Sequence, residues 1–252
     1  MLQALIFDVD GTLAETEEAH RQAFNTAFAE AGVGWHWDQP RYKALLQVTG
    51  GKERIARFIA DEQPPDAPAS AQQAEWIARL HIRKTAIYTG LVAEGHVSLR
   101  PGIAELLVAA RSQGVRLAIA TTTNLPNVES LLVTSLGPDA MGWFEAIAAG
   151  DAVKRKKPAP DVFELALLQL GLPARACLAL EDSTNGLDSA LGAGIPTVVT
   201  RSVYTDDQQF VGAVSVVESL ADLVTDDVTG AELGGRLLDE LRALHNSLGA
   251  AG

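Results

Sequence analysis

At 252 residues the chain is long enough for one large α/β domain, or for a core of about 150 residues with a smaller companion. With 47% apolar, 6% aromatic and 21% charged residues, it is neither a disordered nor a collagen-like chain. Its 32 acidic side chains against 20 Lys plus Arg give a net charge of -12, a field that repels nucleic acid and anionic membrane surfaces, so neither is expected as a partner and a phosphorylated ligand must meet locally placed cations.

The first predicted element is a short apolar run, Leu2 to Phe7, that ends abruptly in Asp8-Val9-Asp10-Gly11-Thr12. That pattern reads as a buried parallel strand delivering polar groups at its carboxyl end. The polar residues arrive too early for a secretory signal, and no stretch approaches the roughly 18 apolar residues of a membrane span. Next come helical patterns. Phe24, Ala27, Phe28 and Ala31 follow i, i+3, i+4, i+7 up to Gly32, and Ile55, Phe58 and Ile59 continue the theme. Trp35 and Trp37, flanking His36 after a helix end, are expected to pack a helical domain rather than to stack on bases. Pro64-Pro65-Asp66-Ala67-Pro68 is a turn, and Ser70 is expected to cap a long helix carrying Trp76, Ile77, Leu80, Ile87, Tyr88 and Leu91, closed by Gly95.

Further short apolar runs follow. Val115 to Ala120 ends in Thr121-Thr122-Thr123-Asn124, Ala146 to Ala149 ends in Gly150-Asp151, and Ala176 to Leu180 ends in Glu181-Asp182-Ser183, with Thr197 to Thr200 after it. Strand alternating with helix implies right-handed crossovers, a parallel sheet, and a ligand site outside the carboxyl ends of the strands. The expected architecture is a three-layer, Rossmann-like α/β core from residues 1–15 and 97–252, with an all-helical cap inserted at 16–96. The hinges fall near 14–16 and 96–98. The single cysteine, Cys177, cannot form an internal disulfide and reads as a small buried strand residue, which fits a reducing, cytoplasmic compartment.

Asp8 and Asp10 stand two apart at a strand end, so alternation places them on one rim. Two buried carboxylates remain jointly useful only if a cation neutralises them or one holds a proton. Asp182 supplies a further oxygen ligand, and hard oxygen donors without nearby His or Cys suit Mg²⁺. Thr121 and Thr122 offer a hydroxyl and an N–H where a helix begins, a cradle for phosphoryl oxygens. Lys157, before Pro158, offers a cation on the rim. Each feature taken singly has an ordinary reading as a turn, a strand end, a solvated basic loop or an N-cap.

Together, Asp8-Val9-Asp10-Gly11-Thr12, Thr121, Lys157-Pro158 and Glu181-Asp182-Ser183 resemble the four ordered motifs of the haloacid dehalogenase superfamily. The helical insertion after the first motif resembles the cap of the subgroup holding β-phosphoglucomutase, phosphoglycolate phosphatase and the CbbY proteins. Glu15-Thr16-Glu17 with His20, the segment Thr49 to Ile55, and Glu181 to Gly186 are most similar to the CbbY type. The resemblance implies that Asp8 is a nucleophile forming an aspartyl phosphate and that Asp10 is the acid and then the base, which requires a raised pKa. It implies Mg²⁺ held by Asp8, the Asp10 carbonyl and Asp182, with Glu181 in or near that shell. Thr121, Thr122 and Lys157 would neutralise the transferred phosphoryl group.

The substrate implied is a small phosphorylated sugar, xylulose 1,5-bisphosphate, acted on by a monomer, with a phosphosugar mutase or a monophosphate phosphatase as alternatives. A phospho-accepting signalling receiver shares the Asp, Thr, Lys and Mg²⁺ but is about half as long and needs no adjacent acid. Gly50, Gly51, Lys52 and Arg54 are expected to hold the second phosphate, through accessible amides at a helix start and two cations. Glu17 and His20 share a helix face near the hinge and would meet sugar hydroxyls, with Asn185 also at the substrate.

Overall fold

The computed structural model describes residues 1–249. Strand β1 (Ala4–Phe7) is followed by four helices, α1 (Glu17–Glu30), α2 (Gln39–Leu45), α3 (Gly51–Glu62) and α4 (Ser70–Ala93), before the sheet resumes. Then come α5 (Ile103–Ser112), β2 (Arg116–Thr121), α6 (Leu125–Leu136), β3 (Ala146–Ala149), α7 (Asp161–Leu170), β4 (Cys177–Glu181), α8 (Thr184–Gly192), β5 (Thr197–Thr200), β6 (Ser215–Val217) and α9 (Gly230–Gly249). All six strands are parallel, in the order β3-β2-β1-β4-β5-β6. This is an α/β fold with helices on both sheet faces.

The absence of polar alternation in the strands has a direct cause, since both faces are covered. Leu5, Phe7, Leu117, Ile119, Leu178 and Leu180 pack against α5, α6 and α9, while Ala4, Ile6, Ala118, Cys177 and Ala179 pack against α7 and α8. Leucine, isoleucine and phenylalanine dominate one face, and the other is built mostly of alanine with Ile6 and Cys177. Cys177 is the buried strand residue expected of it. The register pairs Phe7 with Ile119 on one side and with Leu180 on the other. One step further along, Asp8 therefore stands level with Glu181, its N–H bonded to Leu180 O at 3.0 Å.

The inserted helices have their own aromatic core. Phe24 and Phe28 of α1 pack on Trp37 with ring centroids 4.8 Å away in each case, and Trp35, Tyr42 and Phe58 complete the cluster. Trp35 and Trp37 are thus buried packing residues, and both indole N–H groups lack partners among the described residues. The two chain segments leading into and out of these helices lie side by side. Ala14 bridges to Leu99, and Arg100 N–H donates to Leu13 O at 2.9 Å.

Some local expectations change. Ser70 does not cap α4 but is its first helical residue; Ala69, in extended backbone after the proline-rich turn, precedes the helix, whose cap uses no side chain. Helix α2, held by Asp38 accepting the Arg41 N–H at 2.8 Å, strand β6 and helix α9 were not expected. The leucines of α9 at 237, 238 and 241 close the sheet face beside α5. Among the described residues no helix is long and apolar enough to cross a membrane.

Candidate active site

The carboxyl ends of β1, β2 and β4 open into a cavity of about 350 Å³ roofed by α1, α3 and α4, a size suited to a small ligand. Asp8 sits at its floor, almost fully buried, and Lys157 reaches it from the loop before α7, its Nζ 2.5 Å from Asp8 Oδ1 and 2.5 Å from Glu181 Oε1. Asp182 joins them, so Asp8, Glu181 and Asp182 each offer an oxygen within 4.8 Å of the others. Gly11 makes this possible. Its φ is +81°, and a Cβ there would overlap the Asp182 carboxylate.

The charges in this cluster do not balance. With all three carboxylates ionised against one ammonium, two negative charges would stand uncompensated in a buried site. Burial pushes the Asp8 carboxyl well above the usual range, with Lys157 pulling against it and Glu181 and Asp10 adding to it. Burial, then Glu181 and Asp8, push Asp182 up in the same way. Lys157, despite burial, is held above its ordinary value by the two carboxylates it bonds. An oxygen-only donor set short of two positive charges fits a hard divalent cation such as Mg²⁺.

Asp10 has different company. Thr16, at the entrance to α1, donates its hydroxyl to Asp10 Oδ1 at 2.5 Å instead of capping its own helix, and His20 Nε2 lies 3.0 Å from the same oxygen. Lys84 Nζ lies 2.5 Å from His20 Nδ1. An ionised carboxylate can only accept, so His20 Nε2 carries the hydrogen given to Asp10 and Nδ1 accepts from Lys84. Tyr88 stacks on the His20 ring at 3.9 Å. Burial opposes ionisation of Asp10, but His20 and Thr16 outweigh it and hold the carboxyl at about 2. This reverses the raised value expected of the acid, because sequence spacing does not show that two donors converge on it. Burial drives Lys84 down to about 7, against the pull of Asp10 and Glu17.

The other expected residues fall as follows. Thr121 ends β2, with its hydroxyl accepting the Thr123 N–H at 3.2 Å, and Thr122 lines the cavity. Glu17 accepts the Tyr42 hydroxyl at 2.6 Å; Arg54 in turn donates to Tyr42 at 3.1 Å and to Leu45 O at 3.2 Å. Gly50, Gly51, Lys52 and Arg54 all line the cavity at the start of α3. Lys52 is not isolated there, for its Nζ lies 2.5 Å from Asp151 Oδ2, and Asp151 also holds Lys156 at 2.8 Å. Asn185 lies on the cavity wall and bonds the connection between α2 and α3 through Gln47 O and the Thr49 hydroxyl, both at 3.3 Å.

Residues missed by the sequence reading are Thr16, His81, Lys84 and Asp151. The α4 residues carried a signal, since His81, Lys84 and Tyr88 follow i, i+3, i+7 along one face.

Comparison with known proteins gives a consistent pattern. The family model for haloacid dehalogenase-like hydrolases matches residues 2–194. The chain is 50% identical over 223 residues to Protein CbbY of Cereibacter sphaeroides, covering 88% of this chain and 94% of that one. It is 48% identical over 248 residues to the plasmid Protein CbbY of Cupriavidus necator, covering 97% of each. The structure of CbbY from Rhodobacter sphaeroides in complex with xylulose-(1,5)bisphosphate superimposes with a TM-score of 0.84 at 50% identity, over 88% of this chain and 96% of that one. A β-phosphoglucomutase from Clostridium difficile shares the fold, with a TM-score of 0.73 at 19% identity over 98% and 99% of the two chains.

Proposed function

The chain belongs to the haloacid dehalogenase-like hydrolases, and from that premise we propose that it is a phosphatase acting on sugar phosphates and that its substrate is a sugar bisphosphate, specifically xylulose 1,5-bisphosphate. The observation that carries this reading is a single cavity lined both by Asp8 and Lys157 on the core and by Lys52 and Arg54 on the inserted helices. One anion would meet the first pair and a second anion the other. The CbbY of similar sequence whose structure holds xylulose-(1,5)bisphosphate supports the choice of sugar.

In this reading residues 16–96 form a cap over a core of 1–15 and 97–252, and Asp8 attacks the phosphorus in line, breaking the bond to the sugar oxygen and forming an aspartyl phosphate. Lys157 holds Asp8 and a phosphoryl oxygen together, with Thr121 and the Thr122 amide on the remaining oxygens. Asp10 gives a proton to the departing sugar oxygen and later takes one from the water that cleaves the aspartyl phosphate. In the ligand-free site Asp10 is ionised, as the base half of the cycle requires. The dianionic substrate beside it favours protonation for the acid half. Glu17 and His20 stand where sugar hydroxyls would lie between the two phosphates. Asp8, Asp182 and the Asp10 carbonyl would hold Mg²⁺, with Glu181 beside them, and the ion supplies positive charge against the carboxylates and phosphoryl oxygens.

Phosphate release from a panel of sugar mono- and bisphosphates tests the proposal. Xylulose 1,5-bisphosphate is expected to have the highest kcat/KM, chelation to abolish turnover, and Asp8→Asn to be inactive. Equal rates on monophosphates would refute the second phosphate site, and an active Asp8→Asn would refute the nucleophile.

A further inference from the structure

Arg100 is a buried cation on the segment that leads from α4 back to the sheet, and no step above uses it. Its one ion pair among the described residues, with Glu15, is long at 3.4 Å. The guanidinium instead gathers four backbone carbonyls. One terminal nitrogen donates to Gly11 O and, at 3.2 Å, to Thr200 O; the other donates to Arg201 O and Glu218 O, both at 2.5 Å. These acceptors come from three separate stretches of chain: the turn after β1, the end of β5 with the residue that follows it, and the residue after β6.

Two of the three stretches meet at Asp182. A Cβ on Gly11 would stand 2.1 Å from Asp182 Oδ2 and 3.2 Å from Ser202 Cβ, so the carboxylate and Ser202 crowd the same face of Gly11. The Ser202 side chain also hydrogen-bonds the Asp182 carboxyl. Ser202 follows directly on Thr200 and Arg201, whose carbonyls Arg100 holds. Gly11 is held from both sides, its N–H donating to Ala14 O at 2.8 Å and its carbonyl accepting from Arg100. A glycine has little conformational preference of its own, so these bonds decide where it stands. A planar fork of five N–H donors can span carbonyls from separate segments, whereas an ammonium donates from a single point.

We propose that Arg100 is a positioning residue that fixes Gly11 on one side of Asp182 and the Thr200–Ser202 backbone on the other, and so holds the Asp182 carboxylate in the orientation that completes the oxygen donor set with Asp8. It acts through those two walls and bonds neither carboxylate itself. The inference rests on the Mg²⁺ reading of this cluster and adds the group outside it that fixes its geometry. Removing a partner that orients a metal ligand typically weakens metal affinity by about 10- to 100-fold.

The test measures Mg²⁺ binding to the full chain by isothermal titration calorimetry in the wild type, Arg100→Gln and Arg100→Lys. Trp37→Ala, destabilised within the aromatic core of the inserted helices, serves as the comparison, and thermal unfolding in a chelator establishes that each protein is folded. The Mg²⁺ Kd is expected to rise about 10- to 100-fold in Arg100→Gln, with most of that loss remaining in Arg100→Lys, and to stay at the wild-type value in Trp37→Ala. Hydrolysis of p-nitrophenyl phosphate lost at low Mg²⁺ should return as Mg²⁺ is raised, with KM for the ester little changed. A wild-type Kd in both Arg100 variants, with only a lowered Tm, would refute the positioning role while the metal reading stands. Equal weakening in Trp37→Ala would also refute it, by showing that affinity follows general stability. If neither Arg100 variant folds, Ser202→Ala decides, since it removes one hydroxyl from the same wall: a raised Kd supports the route through Asp182 and an unchanged one refutes it. If the wild type itself binds no Mg²⁺, the metal reading fails and this inference fails with it.

Discussion

Replacing Lys157 by Met removes the one cation from a cluster of three buried carboxylates. Its Nζ lies 2.5 Å from both Asp8 and Glu181, and all three side chains are nine-tenths buried or more. Removing one partner of a buried ion pair costs about 3–5 kcal/mol, because the remaining charge is left without water or counter-ion. For a chain of this size each kcal/mol corresponds to about 2–4 °C, so Tm should fall by roughly 6–20 °C in the presence of a chelator. The pH dependence gives a second check. The Asp8 and Asp182 carboxyls already sit above their unfolded values, and loss of Lys157 raises Asp8 further. The native state then holds protons that the unfolded chain has released, so stability falls as pH rises above about 4. The deficit relative to wild type should therefore be larger at pH 8 than at pH 5. Urea unfolding followed by tryptophan fluorescence at the two pH values measures it. A deficit below about 1 kcal/mol at pH 8, or one that grows toward pH 5, would refute the charge count on which the metal assignment also rests.

Asp10→Asn should keep the fold and lose about 10²- to 10⁴-fold in turnover, since a positioned acid and base has been removed; an unchanged rate of phosphate release would end that assignment. Lys84, held at about 7 against about 10.4 in an unfolded chain, carries a penalty that is fully present below pH 7 and is relieved as pH rises through that window. Wild-type stability should accordingly rise from pH 7 to 9 relative to Lys84→Met, by at most about 1.4 kcal/mol per pH unit, and parallel stability curves for the two proteins would contradict it. Trp37→Ala, at a fully buried ring, should cost about 3–5 kcal/mol by denaturant titration, while the wild type should show no salt-sensitive retention of single-stranded DNA on filters.

How much of this was legible in the sequence follows from the range of the interactions involved. The strand runs ending in Asp8, Thr121 and Glu181 are local patterns. A parallel sheet buried on both faces requires such apolar runs, and its topology requires their polar ends to share one edge, so the core fold and the Asp8, Lys157, Asp182 cluster could be read from one dimension. The inserted helices were readable for the same reason, through the spacing of Phe24, Ala27 and Phe28.

What needed the tertiary structure was the charge state of Asp10 and the company kept by the cations of the inserted helices. Thr16, His20 and Lys84 act on Asp10 from two different helices, and Lys52 meets Asp151 across 99 residues of sequence. No local pattern encodes the angle at which α1, α3 and α4 roof the cavity. The Phe24, Phe28, Trp37 and Phe58 cluster packs these helices on one another, and Ala19, Ala23, Tyr88 and Val92 seat α1 and α4 on the core. A pKa depends on distances of a few ångströms between such side chains. The sequence therefore determined which groups are present at the site, and the packing of the inserted helices decided which of them touch.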